Sequence, residues 1–268
     1  MAKIKYILII TPFIVFTMSC EKPFDFSPYD TPSSKSKELN ANNIKQISKI
    51  STSNKNNICF AIISDSHIEY DLLKKSIKQI NNDKQIQFVI HLGDITTNGL
   101  QNEFEWANKQ LEQLEVPYIV VIGNHDYLSN GSIVYQKIFG AHSFSFITNN
   151  TKFVIFDNVV WENNNSYPNF DWLNNNLSDN NKYNQIFVFS HIPPFSDQFD
   201  DYCRNKYYNI MQANNVSCSF HGHIHCYSFE KHQENNKTWY FTADDITSKN
   251  YYKVTFCDTT FNIQAMSF

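Results

Sequence analysis

The chain has 268 residues, of which 42% are hydrophobic, and this length can bury one sizeable core in addition to a leader segment. The hydrophobic content excludes an intrinsically disordered protein. The formal net charge is -4 and Arg204 is the sole arginine, which argues against a nucleic-acid-binding protein, because such proteins need a basic face and favour arginine for phosphate contacts.

The start of the chain has the features of an export signal. Lys3 and Lys5 precede the apolar segment 6–16, which is too short for a typical membrane-spanning helix. Residues 17–20, TMSC, resemble the end of a bacterial lipoprotein signal, in which Cys20 becomes the lipidated first residue. An exported protein without a lipid is the alternative.

These features divide the chain into three parts. We predict a signal peptide over 1–19, a lipid-anchored flexible tether over 20–57, and one folded domain over 58–268. Within the tether, residues 44–50 have helical spacing of apolar side chains and are predicted to form a short docking helix. The protein is therefore expected in the bacterial cell envelope, in the periplasm or at the outer membrane, and bound to a membrane through its lipid.

Strands and helices alternate in the first half of the domain. Continuous apolar runs predict buried strands at 58–64, 86–92 and 118–122. Amphipathic helices are predicted between them, at 70–80 and 103–114. A β-α-β-α-β order of this kind implies a mostly parallel sheet with right-handed crossovers.

The second half of the domain is richer in strands. The predicted elements are a hairpin of strands at 144–148 and 152–158, helices at 171–177 and 201–213, and strands at 186–190, 216–220, 238–243, 251–256 and 261–266. This order fits one α/β domain in which two mixed sheets lie between helical layers, a four-layer α/β/β/α sandwich.

Metal-binding and acid–base residue types follow five of the predicted strands. In chain order they are Asp65, His67, Asp94, Asn124, His125, His191, His223 and His225. Because the carboxyl ends of strands in an open α/β sheet gather at one crevice, we expect these side chains to meet. Carboxylate, amide and imidazole groups suit Zn, Mn or Fe. The set is too large for one tetrahedral ion but suits two ions that share a carboxylate.

The spacing of these residues also carries a structural expectation. Asp65 and His67 are two positions apart, as are His223 and His225. On extended backbone such pairs point to the same side. Two further candidates, Asp94 and Asn124, each follow a glycine, which lets the backbone turn sharply close to a metal.

The motifs D-x-H, G-D, G-N-H-D, a lone H and G-H-x-H, in this order, resemble the calcineurin-like metallophosphoesterase superfamily over residues 58–268. The chain also resembles exported members predicted in Bacteroidetes, which have a tether, SHIPP and HGHxH. The resemblance implies a four-layer α/β/β/α sandwich and two divalent or trivalent metal ions, Mn, Fe or Zn.

The resemblance further implies a role for each candidate. One ion would take Asp65, His67 and His225, the other would take Asn124, His191 and His223, and Asp94 would bridge both. His125 would face the substrate as a general acid or an electrostatic stabiliser.

The implied function is hydrolysis of a phosphomonoester or phosphodiester by a metal-bridging hydroxide, with His125 protonating the leaving group. The expected partner is a small phosphorylated substrate and not a nucleic acid. Two alternatives stay open: a cyclic-nucleotide or phospholipid phosphodiesterase, and a lipoprotein that binds metal or a phosphate ligand without turnover. His125 favours an enzyme, because a pure binding site needs no group at the leaving-group position.

Departures from related families narrow the prediction. The third residue after Asp94 is Thr97, where purple acid phosphatases carry tyrosine and protein Ser/Thr phosphatases carry aspartate. The chain is therefore expected to be neither a purple acid phosphatase nor a protein Ser/Thr phosphatase. The sequence identifies no partner that would orient His125. Hydrolases of the lipid-A pathway carry a motif that resembles GNRD, whereas this chain has His125 in place of the arginine.

Four further polar residues are expected to lie outside the catalytic set. His91 lies within a predicted strand and is expected to be a core histidine, and His221 is expected to be structural or to support a ligand. Asp126 is expected to bond backbone groups near the site. Arg204 lies in a predicted helix and is expected on the solvated surface.

Overall fold

The computed structural model describes Ser27, Thr31 and residues 37–50, 58–232 and 237–268. The predicted signal peptide over 1–19 and the lipidation site Cys20 lie outside the described residues, and both stay predictions. Within the described ranges, none of the helices is both long enough and apolar enough to span a membrane.

The order of helices and strands follows the predicted order. The helices are α1 (Leu39–Ile50), α2 (Tyr70–Asn82), α3 (Gln101–Leu111), α4 (Gly131–Ile138), α5 (Phe170–Leu177) and α6 (Asp201–Ala213). The strands are β1 (Ile58–Ile63), β2 (Phe88–His91), β3 (Tyr118–Val120), β4 (Phe144–Thr148), β5 (Thr151–Ile155), β6 (Gln185–Phe189), β7 (Cys218–His221), β8 (Ser228–Glu230), β9 (Trp239–Thr242), β10 (Asn250–Cys257) and β11 (Thr260–Ser267). The sequence pattern missed α4 and β8.

The strands form two mixed sheets. The first has the order β11-β10-β1-β2-β3, with β1, β2 and β3 parallel and β10 antiparallel to β1. The second has the order β4-β5-β6-β7-β9-β8, with a parallel centre and an antiparallel strand at each end. The predicted α/β class with two mixed sheets is confirmed.

Alternate residues of β1 are buried on opposite faces of the sheet. Because both faces are covered, the sequence of the strand is continuously apolar. Phe60 and Ile62 pack between the two sheets. Ala61 and Ile63 pack on the opposite face, in the cluster that contains the apolar residues of α2 and α3. The ring of Phe60 stacks on Phe88 with centroids 5.1 Å apart. The helices α5 and α6 cover the outer face of the second sheet, so the predicted four layers are present.

Helix α1 covers β3, the edge strand of the first sheet. The Asn40 side chain donates to the Val120 carbonyl at 3.0 Å and accepts from the Val120 N–H at 2.9 Å. Asn43 donates to the Tyr118 carbonyl at 2.8 Å. These bonds satisfy edge groups that a neighbouring strand would otherwise pair. The range 20–57, predicted as flexible tether, therefore contains a helix that packs on the domain and is longer than the predicted docking helix.

The contact between α1 and the sheet edge predicts a stability effect. Asn40→Ala is expected to lower the free energy of unfolding by about 1–3 kcal/mol, because it leaves the buried Val120 N–H without a partner. Urea denaturation measures the change. The control is Asn42→Ala, which removes an exposed bond to the Lys37 carbonyl and should change stability by less than about 0.5 kcal/mol. Equal effects of the two substitutions would contradict the edge-covering role.

Candidate metal centre

The carboxyl ends of β1, β2, β3, β6 and β7 meet at one edge of the domain and bring the predicted ligands together. Six of these residues form two groups in which the possible ligand atoms all lie within 4.8 Å of one another. The groups are Asp65, His67 and His225, and Asp94, His191 and His223. Their assignment as metal ligands stays a prediction.

The two groups adjoin each other. The Nε2 atom of His191, in the second group, lies 3.1 Å from Asp94 Oδ2 and 3.8 Å from Asp65 Oδ1. His225 Nε2 lies 3.2 Å from the same Asp65 oxygen. Asp65, Asp94 and His191 are each no more than 1% exposed. The two carboxylates and His191 therefore form the buried base of the site, whereas His67 and His223 are partly buried and His225 is exposed.

Backbone carbonyls orient two of the imidazoles. His67 Nδ1 lies 3.0 Å from the Thr96 carbonyl, and His191 Nδ1 lies 2.8 Å from the Leu92 carbonyl. Because a carbonyl only accepts hydrogen bonds, Nδ1 carries the proton in each neutral ring, and Nε2 keeps its lone pair. This tautomer is the one that a metal-binding imidazole needs when Nε2 is the ligand.

The surroundings of His191 test whether the site fits a cation. Its Nε2 atom is fully buried and makes no hydrogen bond, although it lies 3.1 Å from Asp94 Oδ2. Burial would lower the pKa of His191, but the carboxylates of Asp94 and Asp65 raise it to about 10. The two carboxylates thus favour a positive charge at Nε2, which a proton supplies in the metal-free ring and a metal ion bound to the Nε2 lone pair would supply in its place. Carboxylate and imidazole donors in this arrangement fit a divalent metal ion.

His125 lies beside the two groups without belonging to either. Its ring is 4.8 Å from the ring of His67, centroid to centroid, and nearly perpendicular to it. Its Nδ1 lies 2.8 Å from the Thr97 carbonyl, and its backbone N–H donates to Asp94 Oδ1 at 2.8 Å. The partner that orients His125 is therefore a backbone carbonyl, which no residue type at position 97 could have revealed.

Asp126 joins the loops that carry the candidate ligands. It is fully buried and accepts hydrogen bonds from the Gly123 N–H at 2.9 Å, the Thr96 N–H at 3.0 Å and the Thr96 hydroxyl at 2.8 Å. Burial and the nearby charge of Asp94 raise the pKa of Asp126 to about 7. The expected bonding of Asp126 to backbone near the site is confirmed.

Asn124 extends the second group by a neutral oxygen. Its Oδ1 atom lies 3.0 Å from His223 Nδ1. Its Nδ2 atom donates to Glu162 Oε1 at 3.0 Å. Glu162 lies in the loop between β5 and α5 and belongs to none of the motifs, so sequence reasoning missed it.

The backbone at the ligands is not extended, and that expectation was wrong. The φ angles are 48°, 44°, 53°, 71° and 56° at Asp65, His67, Asp94, His223 and His225. The strands end before these residues, and the chain turns back through the left-handed region. Asp, Asn and His enter that region more readily than most side chains. Such strain is typical of functional sites whose surroundings hold it in place.

Two glycines allow the ligand loops to approach each other. A Cβ atom on Gly123 would collide with the Asp94 carboxylate, and one on Gly222 would collide with Ser64 Oγ and the Asp65 carboxylate. Neither glycine has a left-handed backbone, so close approach alone accounts for the absence of a side chain.

These collisions predict the effect of adding a methyl group. Gly123→Ala and Gly222→Ala are each expected to displace a carboxylate and to lower the number of metal ions bound per chain. Metal analysis after dialysis against Mn²⁺ measures the number, and circular dichroism establishes that the variants remain folded. Unchanged metal content in both folded variants would contradict the arrangement of the loops.

The two buried histidines outside the groups support loops and strands. His91 Nε2 bonds Ser66 Oγ at 2.9 Å. His221 bonds Ser190 Oγ at 3.2 Å through Nδ1 and Ser219 Oγ at 2.8 Å through Nε2. Burial lowers the pKa of each histidine to about 3. Both are therefore neutral, in agreement with the expected structural roles.

Arg204 differs from its expected place on the solvated surface. Its side chain is one-third exposed and donates to the carbonyls of Pro194 at 3.0 Å and Phe199 at 2.9 Å. It also pairs with Asp201 at 2.7 Å. Arg204 therefore holds the loop that follows His191, and its hydrogen bonds among the described residues include none to a predicted ligand.

The family model of calcineurin-like phosphoesterases matches residues 59–227. This range is more than half of the chain and contains every predicted ligand.

Two curated bacterial proteins match part of the chain. A probable cyclic nucleotide phosphodiesterase of Xenorhabdus bovienii is 30% identical over 69 residues, which are 26% of this chain and 28% of that protein. A probable glycerophosphodiester phosphodiesterase of Arcobacter nitrofigilis is 35% identical over 81 residues, which are 25% of this chain and 30% of that protein. The chain thus matches less than a third of the length of these relatives.

A solved structure shows the same fold. A dimetal phosphatase from Danio rerio superposes with a TM-score of 0.59 at 15% sequence identity, and the match covers 79% of this chain and 99% of that one.

Proposed function

The chain belongs to the calcineurin-like phosphoesterase family, and we propose that it hydrolyses a small phosphate ester with the help of two metal ions. The observation that carries the proposal is the pair of adjoining groups, Asp65 with His67 and His225, and Asp94 with His191 and His223. Asn124 would complete the second group. The donor set suits Mn, Fe or Zn.

The mechanism assigns separate tasks to the residues of the site. Two bound ions would supply Lewis-acid stabilisation of the phosphate oxygens and would lower the pKa of a water molecule. Asp65 and Asp94 would supply the negative charge that holds the two ions. His67 and His191 present Nε2 because carbonyls hold their Nδ1 protons.

His125 has a different task. Its Nδ1 proton is held by the Thr97 carbonyl, so Nε2 is the atom that can gain and donate a proton. A protonated Nε2 would transfer its proton to the departing alkoxide, which is otherwise a poor leaving group. The perpendicular contact with the ring of His67 keeps His125 next to the first group.

We propose a phosphodiester as the substrate class. A diester has one negative charge, whereas a phosphomonoester has about -1.5 to -2 at pH 7, and lysine or arginine side chains commonly stabilise such additional charge. In the part of the chain that the structure describes, Asp65 and Asp94 form ion pairs with histidines, and neither lysine nor arginine is among their partners. The two curated relatives are named as phosphodiesterases, which supports the same class.

A comparison of two model substrates tests the proposal. Protein loaded with Mn²⁺, Zn²⁺ or Fe²⁺ is assayed with bis(p-nitrophenyl) phosphate and with p-nitrophenyl phosphate. We expect hydrolysis to depend on added metal, with a higher kcat/KM for the diester. Metal binding without hydrolysis of either ester, or of phospholipid and nucleotide diesters, would instead identify a binding protein without turnover.

The site of action is proposed from the N-terminal sequence alone. We propose that the protein is exported and held at a membrane of the cell envelope by lipid on Cys20. The supporting features are the basic residues, the apolar segment and the TMSC sequence near the start of the chain.

A further inference from the structure

Glu162 connects the second sheet to a candidate ligand of the first sheet. It follows β5 in the chain, whereas Asn124 follows β3. The bond from Asn124 Nδ2 to Glu162 Oε1 is 3.0 Å long and joins residues 38 positions apart. A side chain from one sheet thus contacts a side chain that faces the candidate metal centre from the other sheet.

The start of the loop that carries Glu162 is held by hydrogen bonds and by burial. Asn158 donates to the Ile192 carbonyl at 2.6 Å and accepts from the Ile192 N–H at 3.1 Å. Val159 is 1% exposed and Val160 is 6% exposed. Four of the five residues after β5 are buried, and Glu162 lies two residues beyond them, directly after the exposed Trp161.

The chemistry of the contact determines how the Asn124 amide is oriented. An ionised carboxylate only accepts hydrogen bonds, so Glu162 must take the NH₂ end of the amide. The carbonyl end then points away from Glu162, and Asn124 Oδ1 lies 3.0 Å from His223 Nδ1. Without Glu162, either end of the amide could face His223, and only the oxygen can bind a cation.

The second oxygen of Glu162 indicates that a positive charge belongs near this contact. Oε2 is buried and has no hydrogen-bond partner among the described residues. A carboxylate oxygen that is buried without a hydrogen bond is costly unless positive charge lies nearby. The candidate metal centre next to Asn124 is the feature of the site that would provide this charge.

We propose that Glu162 is a positioning residue that holds the Asn124 oxygen toward the second metal ion. The proposal rests on the proposed function, because it requires the two-metal centre. Glu162 acts through Asn124 and does not itself contact substrate. Residues that orient metal ligands typically change affinity by about 10–100-fold when they are replaced.

Titration of the metal-free protein with Mn²⁺ by isothermal calorimetry tests the proposal without measuring hydrolysis. Glu162→Ala is expected to weaken one of the two binding events by about 10–100-fold and to leave the other within about twofold. Glu162→Gln is expected to retain most of the affinity, because its amide oxygen can still accept from Asn124. The control is Glu105→Ala, which removes an exposed glutamate whose side chain accepts a hydrogen bond from Gln101 on α3.

A double substitution gives the sharpest test. Asn124→Asp places a carboxylate opposite Glu162, and two acceptors then face each other. Adding Glu162→Gln restores a donor to this contact. The same Glu162→Gln change should therefore strengthen Mn²⁺ binding in the Asn124→Asp background, whereas it leaves binding equal or weaker in the natural background. A loss specific to contact with Asn124 produces this reversal, and a general loss of stability does not.

The outcomes separate the two proposals. Natural protein that binds two ions, together with Glu162→Ala that binds both with natural affinity, overturns the positioning role and leaves the proposed function intact. Natural protein that binds fewer than two ions overturns the two-metal centre and the positioning role together. Weaker binding of the second ion by Glu162→Ala, together with the reversal expected in the Asn124→Asp background, supports both proposals.

Discussion

Replacing Asp94 by asparagine is expected to lower kcat/KM for a diester by roughly 10³-fold or more, because loss of a catalytic metal removes several kcal/mol of transition-state stabilisation. Asp94 Oδ2 lies 3.1 Å from His191 Nε2, and Oδ1 accepts the His125 N–H at 2.8 Å. Asparagine can keep the bond to the His125 backbone through its own oxygen. The substitution therefore removes the charge and leaves the local backbone contact in place.

Metal analysis and diester kinetics check this prediction together. The metal content of Asp94→Asn should fall below that of the natural protein after identical loading. Asp171→Asn is the control, because that side chain is 90% exposed and lies on α5. An Asp94→Asn variant that keeps both ions and natural kcat/KM would show that this carboxylate is not a ligand.

Replacing His125 by alanine is expected to separate catalysis from metal binding. The variant should keep the metal content of the natural protein, since His125 belongs to neither ligand group. Its kcat should fall by about 10²–10⁴-fold, the usual contribution of a general acid. Loss of activity with full metal content would distinguish His125 from all of the predicted ligands.

The leaving group provides a second measurement on the same variant. A nitrophenolate departs readily without a proton, whereas an alkoxide does not. The loss of kcat in His125→Ala should therefore be larger for an alkyl diester than for a nitrophenyl diester. An equal loss for both substrates would favour an electrostatic role for His125 and would contradict proton transfer.

The order of elements and the location of the site could be predicted because both follow from local patterns. The continuous apolar run of β1 reflects burial on both faces, and ligands after parallel strands meet because those strands share a direction. Helix α1 was only partly predicted. It docks through the amides of Asn40 and Asn43, and polar side chains add nothing to an apolar pattern. Helix α4 was missed although α5, of equal length, was predicted; α4 begins with Gly131, Ser132 and the β-branched Ile133 and Val134, which have low helix propensity.

Finer features of the site could not be read from the sequence, because they depend on contacts between distant segments. The Thr97 carbonyl that orients His125 is a backbone atom, and every residue type supplies one. The bond between Glu162 and Asn124 joins two loops from different sheets. The left-handed backbone of the ligands, such as φ 71° at His223, depends on close packing with the neighbouring loops.

The most direct test of the two-metal centre is a stepwise titration of metal-free protein with Mn²⁺, in which bound ions and diester hydrolysis are measured on the same samples. We predict two ions per chain at saturation, with hydrolysis appearing as the second ion binds. Full hydrolysis with a single bound ion, or hydrolysis in the metal-free protein, would contradict the account.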